Sequence, residues 1–192
     1  MKSFSVSLLH TAWTEEESKL IDEAIAYVEK YNGTNYILDS CLYLYKVLKI
    51  DYILINVVEA VPEATVKSLL FLNKGIISKN IQYPLSGSPC EVVFGKELNY
   101  YPGGVQTLFP DNITLKEMQV ISYLGIPISD NSEQGLGCLA LLHSNIIERG
   151  GFVEALVNVL LPRLVEEMAS INKSAKSHAD FLKQMEEKFS LN

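Results

Sequence analysis

The three cysteines are the residues of this chain best suited to covalent chemistry, because a thiolate is a nucleophile. They are Cys41, Cys90 and Cys138, an odd number with wide spacing, which argues against a disulfide framework and favours reduced thiols in a cytoplasmic protein. A reactive thiol needs electropositive neighbours, and no His or Lys lies within four residues of Cys90. Burial as small apolar residues is the simpler interpretation, and a contact made by the fold is the remaining way to activate Cys90.

Aromatic side chains form a second group, because a half-buried tyrosine can line a pocket and hydrogen-bond a ligand through its hydroxyl. The group comprises Tyr83, Tyr100, Tyr101, Phe109 and Tyr123. Core packing is the better interpretation of Phe109 and Tyr123. Tyr100 and Tyr101 are adjacent in an extended segment, so we expect them on opposite sides, with at most one facing a pocket.

The composition argues against several classes of function. The chain of 192 residues has a formal charge of -7 and scattered basic residues, which disfavours nucleic-acid binding because phosphate neutralisation dominates such affinity. No segment reaches the ~18 consecutive apolar residues of a membrane span, and residues 1–10 lack the features of a signal peptide. With three histidines, no Cys or His cluster has metal-ligand spacing. We expect a soluble, cytoplasmic protein with no metal, membrane or nucleic-acid partner.

Two helices are expected before the first strand. Thr14 and Glu17 have the spacing of a capping box, which starts a helix that Asn32-Gly33 ends. A second helix is expected from about Tyr36 to Leu48, because apolar residues recur there at helical spacing.

The middle of the chain alternates between short strands and short helices. Runs of β-branched and aromatic residues predict strands at 52–58, 66–72, 81–85, 123–128 and 136–142. Short helices are expected at 89–94, 105–109 and 114–121. Ser88 is the expected cap of the first of these, and Asp111, Asn112 or Thr114 of the last. The polar loop at 130–135 predicts a hairpin between the last two strands.

The end of the chain has the most regular pattern. Between residues 157 and 189 the apolar positions follow a heptad repeat, which predicts one continuous helix longer than a single domain needs. An exposed apolar stripe of that length is an association surface, so we expect a parallel homodimer through the terminal helices. Pro162 is expected to bend this helix near its first turns.

Five segments, in their order and spacing, resemble the GAF domain, in particular the subgroup that precedes bacterial kinase and cyclic-dinucleotide output domains. They are YPLSGSPCE at 83–91, YYP at 100–102, LFPD at 108–111, SYLGIPI at 122–128 and GLGCLALL at 135–142. The resemblance divides the chain into an N-terminal segment and helix (1–33), a GAF-like domain (34–170) and a C-terminal helix extension (171–192).

The resemblance implies an α/β (α+β) fold with a central, mainly antiparallel sheet of about five to six strands. The terminal helices are expected on one face and the short pocket helices on the other, which agrees with helices at both ends of the chain and strands between them. The resemblance also places the segment around Cys90 beside a pocket. We expect its ligand-binding lining to include Leu85, Cys90, Tyr101, Phe109 and Tyr123.

For function, the resemblance implies a non-enzymatic sensory or regulatory module that binds a small molecule or senses redox state. It would signal through its C-terminal helix to an output domain or a separate partner protein. Ligand and cofactor stay unknown, because the family's cyclic-nucleotide pattern is incomplete after Asn73-Lys74 and no Cys has a His neighbour for bilin attachment. The alternatives are a thiol-dependent enzyme similar to free methionine sulfoxide reductase and a ligand-free dimerisation scaffold.

Overall fold

The computed structural model describes four parts of the chain: residues 12–59, 63–94, 97–130 and 135–189. The expectations for residues 1–10 and for most of the loop at 130–135 lie outside them. Within the described ranges, no helix is long and apolar enough to cross a membrane.

The two expected N-terminal helices are confirmed as α1 (Glu15–Lys30) and α2 (Tyr36–Leu48). The capping box that starts α1 is present. The Thr14 backbone amide donates to Glu17 Oε2 (2.8 Å), and the Glu17 amide donates to Thr14 Oγ1 (3.1 Å). Asn35 caps α2, because its side chain accepts a hydrogen bond from the backbone of the first turn.

Seven strands within the described ranges form one antiparallel sheet. They are β1 (Tyr52–Glu59), β2 (Thr65–Asn73), β3 (Ile76–Ile77), β4 (Gln82–Pro84), β5 (Asn99–Tyr101), β6 (Ser122–Ile128) and β7 (Gly137–His143). The strand order is β3-β2-β1-β7-β6-β5, and β4 also pairs with β2. The predicted fold class is confirmed, and the sheet contains the short strands β3 and β5 in addition to the predicted ones.

Five further helices follow β4 in the described chain. They are α3 (Cys90–Phe94), α4 (Val105–Leu108), α5 (Ile113–Glu117), α6 (Gly150–Ser174) and α7 (His178–Phe189). Of the three candidate caps for α5, Asn112 is the one used, since its side chain accepts from the Leu115 amide. This helix is shorter than predicted, because the chain enters the left-handed region at Gln119 (φ 54°).

The sheet buries apolar side chains on both faces. Alternate residues of β1, such as Ile53 and Ile55, pack with α1, α2, α6 and α7 in the larger core, and we call this side the helix face. The residues between them, such as Leu54, pack with α3, α4 and α5, together with Cys90 and Cys138. We call this side the thiol face. The predicted separation of terminal helices from short helices is confirmed.

A β-bulge changes the direction of side chains at the edge of the thiol face. Ile55 pairs with Leu70 while the next residue, Asn56, pairs with Ser68, so Leu69 is an extra residue in β2. Both Leu69 and Leu70 therefore point into the core of the helix face. The bulge lies beside Asn56, the polar residue in the middle of β1.

The prediction of one continuous C-terminal helix is wrong. The α6 helix ends at Ser174, and α7 turns back and packs against β2 and α6. Four residues of α7 are buried in the core of the helix face: the seam positions Leu182, Met185 and Phe189, and in addition Phe181. The salt bridge between Glu186 Oε1 and Lys67 Nζ of β2 (2.7 Å) also holds α7 on the sheet.

The heptad pattern is therefore satisfied inside one chain. Met168 and Leu164 of α6, which belong to the same seam, are also buried there. The apolar stripe that motivated the parallel homodimer is not an exposed surface in this structure. The homodimer itself stays a prediction, and it needs another surface of the terminal helices.

We expect Met185→Ala to lower the free energy of unfolding by about 2–5 kcal/mol, since it truncates a side chain with no exposed surface. Lys183→Ala on the same helix is the matched control, because that side chain is 73% exposed and its change should stay within about 0.5 kcal/mol. Urea unfolding of both variants measures the difference. Equal and small effects would show that α7 does not dock in solution.

We also expect Glu17→Gln to destabilise the chain at neutral pH but not in acid. The pKa of Glu17 is lowered, chiefly by the hydrogen bond from Arg149, whose Nε lies 2.7 Å from Glu17 Oε1. A carboxylate with a lowered folded-state pKa stabilises the fold above its unfolded-state pKa, and this is lost as the pH falls through the folded-state value. The gap between wild type and variant in urea unfolding should therefore close in acid. Glu16→Gln, at an exposed neighbour, should show no such gap; a gap that persists in acid would contradict the assignment.

Candidate functional site

The fold brings all five predicted ligand-binding residues to the thiol face. Cys90 and Tyr123 are fully buried there, and Leu85, Tyr101 and Phe109 are partly buried against them. The Tyr101 ring centroid lies 5.5 Å from that of Phe109 and 6.3 Å from that of Tyr123. These residues are neighbours in space, and ligand binding by them stays a prediction.

The opposite orientation of Tyr100 and Tyr101 is confirmed. Tyr101 packs on the thiol face, whereas Tyr100 packs against the core of the helix face. The Tyr100 hydroxyl donates to the backbone oxygen of Ile147, and its ring lies against Gly150, where a Cβ atom would come within 2.6 Å of it. Tyr100 is therefore part of the scaffold that fixes the start of α6.

Five polar side chains meet in the middle of the thiol face: Cys90, Cys138, Tyr83, Tyr123 and Asn56. We call them the thiol cluster. The Cys90 sulfur lies 3.2 Å from the Tyr83 hydroxyl, 3.3 Å from the Tyr123 hydroxyl and 4.0 Å from Asn56 Nδ2. Cys138 belongs to the same buried cluster and lies beside Asn56, its partner in the pairing of β7 with β1. An apolar core thus encloses a sulfur that is surrounded by hydrogen-bond donors.

Strand pairing explains how distant residues reach this cluster. Cys138 of β7 is directly opposite Asn56 of β1 in the antiparallel register, so their side chains share a face. The neighbouring Gly137 (φ 153°) allows close approach, since a Cβ atom there would lie 2.4 Å from the Asn56 backbone oxygen. Cys90 comes from the other direction, as the first residue of α3, which packs on β6 and β7.

The two thiols differ in acidity. The pKa of Cys90 lies below its ordinary value, chiefly because the Cys138 thiol hydrogen-bonds to it, and Tyr123, Tyr83 and Asn56 add to this against the opposing effect of burial. Burial raises the pKa of Cys138 well above its ordinary value, and the hydrogen bond with Cys90 adds to it. Burial also raises the pKa of both tyrosines well above the ordinary value, so their hydroxyls stay protonated and can donate. Cys90 is therefore the more acidic of the two thiols.

One polar atom of the thiol cluster lacks a hydrogen-bond partner. Asn56 is fully buried, and its Oδ1 atom has no hydrogen-bond partner within the described chain. A buried acceptor without a partner costs about 1–3 kcal/mol, so a donor from outside the chain would be favourable there. The thiol face has a cavity of about 10 Å³, enough for about one water-sized sphere. Of the five predicted residues, only Tyr123 lines it, together with Tyr83 and Leu54.

Sequence reasoning missed part of this site. Asn56 received no role, although a polar residue in the middle of the apolar run at 52–58 is a signal, because such a residue is rarely buried without a partner. Cys138 was interpreted as core, which is correct for its burial but omits its contact with Cys90. Tyr83 belongs to the aromatic group that the sequence analysis considers for a pocket, but it is not among the five predicted ligand-binding residues.

A wider groove lies on the opposite side of the molecule, between α1 and α2. It has a volume of about 790 Å³ and is open to solvent, with Tyr27, Tyr43, Lys30 and Lys46 among its walls. The rings of Tyr27 and Tyr43 stack at 4.5 Å, and neither hydroxyl has a hydrogen-bond partner within the described ranges. This groove is part of the terminal-helix surface.

Comparison with known proteins identifies the fold. No protein-family model matches the sequence, and a comparison with curated proteins gives no match. Solved structures do match. The nlh2 GAF domain of A. aeolicus, in an inactive state, aligns with a TM-score of 0.55 at 13% identity, over 80% of this chain and 97% of that one.

Two further structures give the same result. The GAF domain of the Acinetobacter phosphoenolpyruvate-protein phosphotransferase has a TM-score of 0.54 at 11% identity, over 84% of this chain and 99% of that one. The chromophore-binding domain of Stigmatella aurantiaca phytochrome P1 has a TM-score of 0.57 at 10% identity, over 82% of this chain and 61% of that one. This chain therefore has the GAF fold, and the resemblance seen in the sequence is confirmed at that level.

We expect Gly125→Ala to disturb the thiol face. A Cβ atom at Gly125 of β6 would lie 2.3 Å from the Tyr123 hydroxyl oxygen and 2.6 Å from Val93 Cγ2 of α3, so α3 must shift. Overpacking of this kind costs about 1–3 kcal/mol. Gly103→Ala is the matched control, because its nearest contact would be an ordinary 3.7 Å. Thermal unfolding compares the two; equal melting temperatures would mean that α3 does not pack on β6 as described.

Proposed function

We propose that this chain is a non-enzymatic sensory or regulatory module whose input acts on the thiol face. The observation that carries the proposal is the thiol cluster, in which Cys90 is enclosed by donors while Asn56 Oδ1 lacks a partner. A cluster of this kind adds little to core stability, because buried polar groups are costly unless each is satisfied. Such exceptions to apolar packing are expected at functional sites.

Two inputs fit this face. The first is a small molecule that enters between the sheet and the short helices and donates a hydrogen bond to Asn56. Ligand pockets usually measure about 300–1,000 Å³, so the cavity of about 10 Å³ must open first. The partly buried Tyr101 and Phe109 are the expected moving walls. The second input is oxidation of the thiols, which requires far less space.

A route from this face to the C-terminal helix supports a regulatory role. Tyr83 of β4 pairs with Val66 of β2. The next residue of β2, Lys67, points to the helix face and forms the 2.7 Å salt bridge with Glu186 of α7. A displacement of Tyr83 therefore reaches the contact that holds α7, and an output domain or partner protein would respond to the position of that helix.

One observation favours a thiol-dependent enzyme as the second candidate. The sequence shows no closely grouped cysteines, yet the fold gathers Cys90 and Cys138 beside Asn56 in one buried cluster. Turnover of free methionine sulfoxide with an external thiol, lost in Cys90→Ser, would replace the sensory proposal with an enzymatic one.

A cytoplasmic location is also part of the proposal. It rests on the reduced state expected for such thiols.

Association through the terminal helices is a further part of the proposal. The groove between α1 and α2 is open to solvent and has Tyr27 and Tyr43 in its walls, and Ile25 of α1 is 42% exposed. A second copy of the chain could cover this surface without displacing α7. If the chain is a ligand-free dimerisation scaffold, this association is its function and the thiol face stays closed.

We expect native mass spectrometry after gentle purification to detect a small molecule bound to the chain. Tyr101→Ala should reduce its retention, because this ring contacts both Phe109 and Tyr123 on the thiol face. Tyr45→Ala is the control, since Tyr45 is also partly buried but packs on the helix face. Equal retention in the two variants would move the ligand away from the predicted residues. A chain without bound mass would contradict the small-molecule input and leave oxidation as the input.

A further inference from the structure

The fold brings two cysteines from distant parts of the sequence to the same buried side chain: Cys90 Sγ lies 4.0 Å from Asn56 Nδ2, and Cys138 is the partner of Asn56 in the pairing of β7 with β1. Cys90 is the first residue of α3, Cys138 is the second residue of β7, and both are fully buried. The helix that carries Cys90 packs on the strand that carries Cys138, and both cysteines are free thiols in the same buried cluster. Cys41, the third cysteine, is buried on the opposite side of the sheet, in the core of the helix face.

The surroundings of the two sulfurs assign them different roles. Cys90 is approached by the hydroxyls of Tyr83 (3.2 Å) and Tyr123 (3.3 Å) and by the amide of Asn56, all of which can donate to a thiolate. Within the described ranges, both tyrosine hydroxyls pair with Cys90 and neither pairs with Cys138. Cys90 is therefore the sulfur that carries negative charge and attacks, and Cys138 is the thiol that follows.

We propose that Cys90 and Cys138 are a redox pair, in which hydrogen peroxide oxidises Cys90 and Cys138 converts the product to a reversible disulfide. The Cys90 thiolate attacks one peroxide oxygen, the O–O bond breaks, and the departing hydroxide takes up a proton to form water. Cys90 is then a sulfenic acid. The Cys138 sulfur attacks it, the S–O bond breaks, and the oxygen leaves as water with the Cys138 proton. The two thiols lose two electrons, which the peroxide gains, and an external dithiol restores them by exchange.

The size of the site selects the oxidant. The neighbouring cavity of about 10 Å³, lined by Tyr83 and Tyr123, has room for little more than a water molecule. Hydrogen peroxide is the smallest hydroperoxide, so it fits where an organic hydroperoxide does not. Tyr83 is only partly buried and lies on β4, a strand of three residues, whereas Tyr123 and Asn56, the other side chains that contact Cys90, are buried.

This inference deepens the proposed function and rests on it for its meaning, since a disulfide on the thiol face would be a redox input. The redox pair and the proposed function can be contradicted independently. If no disulfide forms, ligand retention can still be measured by native mass spectrometry. If a disulfide forms without any effect on α7, only the regulatory role is contradicted. Hydrogen exchange of residues 178–189, before and after oxidation, reports that effect.

The test is peroxide treatment of the folded, reduced chain, followed by denaturation and alkylation of the remaining thiols. The untreated chain should take up three alkyl groups, one for each free cysteine. The oxidised chain should take up one, on Cys41, and should yield a peptide that links Cys90 to Cys138. A dithiol should restore all three. Cumene hydroperoxide at the same concentration should react far more slowly.

Two tyrosine variants separate a chemical role from a structural one. Tyr123→Phe keeps the ring but removes a donor to Cys90, so disulfide formation at neutral pH should slow on the order of tenfold. Tyr52→Phe is the matched control, because its hydroxyl lies on the same face but donates to the Met118 backbone oxygen (3.1 Å). Equal rates in the two variants would overturn the assignment of Cys90 as the attacking thiol.

Three results would overturn the pair itself. One is a folded chain that keeps three alkylatable thiols under conditions that oxidise its urea-unfolded form. Another is conversion of Cys90 to a sulfinic acid while Cys138 stays alkylatable. The third is oxidation of Cys41 at the same rate as the other two. All three results are obtained on the wild-type chain, so none of them depends on the folding of a cysteine variant.

Discussion

The structure depends on a sheet whose central strand is apolar on both sides. Strand β1 lies between β2 and β7, and successive residues such as Ile53 and Leu54 point into separate cores. Neither face can stay in water, so each needs its own cover. The helices at both ends of the chain cover one face. The short elements between β4 and β6 cover the other.

The helices that cover the two faces differ in length, and the candidate site lies on the face covered by the shorter ones. Long helices bring many apolar side chains to the helix face, where the buried Tyr36 hydroxyl donates to the Leu160 backbone oxygen at 3.0 Å. The thiol face has helices of four or five residues, which supply few side chains each. Close packing is then reached only through small residues, as at Gly125, and through polar ones. Cys90 and Asn56 occupy positions that an apolar residue would fill in a purely structural core.

Local features of the fold were predictable from the sequence, because local interactions determine them. The capping box at Thr14 and Glu17, the bounds of α2 and the alternation of Tyr100 and Tyr101 each follow from a few neighbouring residues. The partners across the sheet were not predictable in the same way. Cys138 faces Asn56 because β7 pairs with β1 in one particular register, and no local pattern specifies that register.

The candidate site was predictable only in part for the same reason. A resemblance to a family supplies the face on which a pocket lies, and the five predicted residues do gather there. Whether a side chain lines the cavity or packs away from it depends on its rotamer, which a sequence pattern does not determine. Tyr123 lines the cavity, whereas Cys90 lies behind it with its sulfur turned to the tyrosines.

In the C-terminal region, the heptad pattern predicts only part of the structure. Such a pattern indicates that one side of a helix is buried, but it does not identify the element that buries it. Ser177 breaks the helix by capping α7, since its Oγ accepts from the Asp180 amide at 3.1 Å, and the stripe then folds onto its own sheet. Apolar surface can be buried only once, so any dimer through residues 178–189 must compete with the docking of α7 on β2. A dimer that leaves this structure intact has to use surfaces that are still exposed, such as Ile25 of α1. The strand on which α7 docks is also the one that pairs with β4: Lys67 of β2 holds α7 through Glu186, and its neighbour Val66 pairs with Tyr83 of the thiol face.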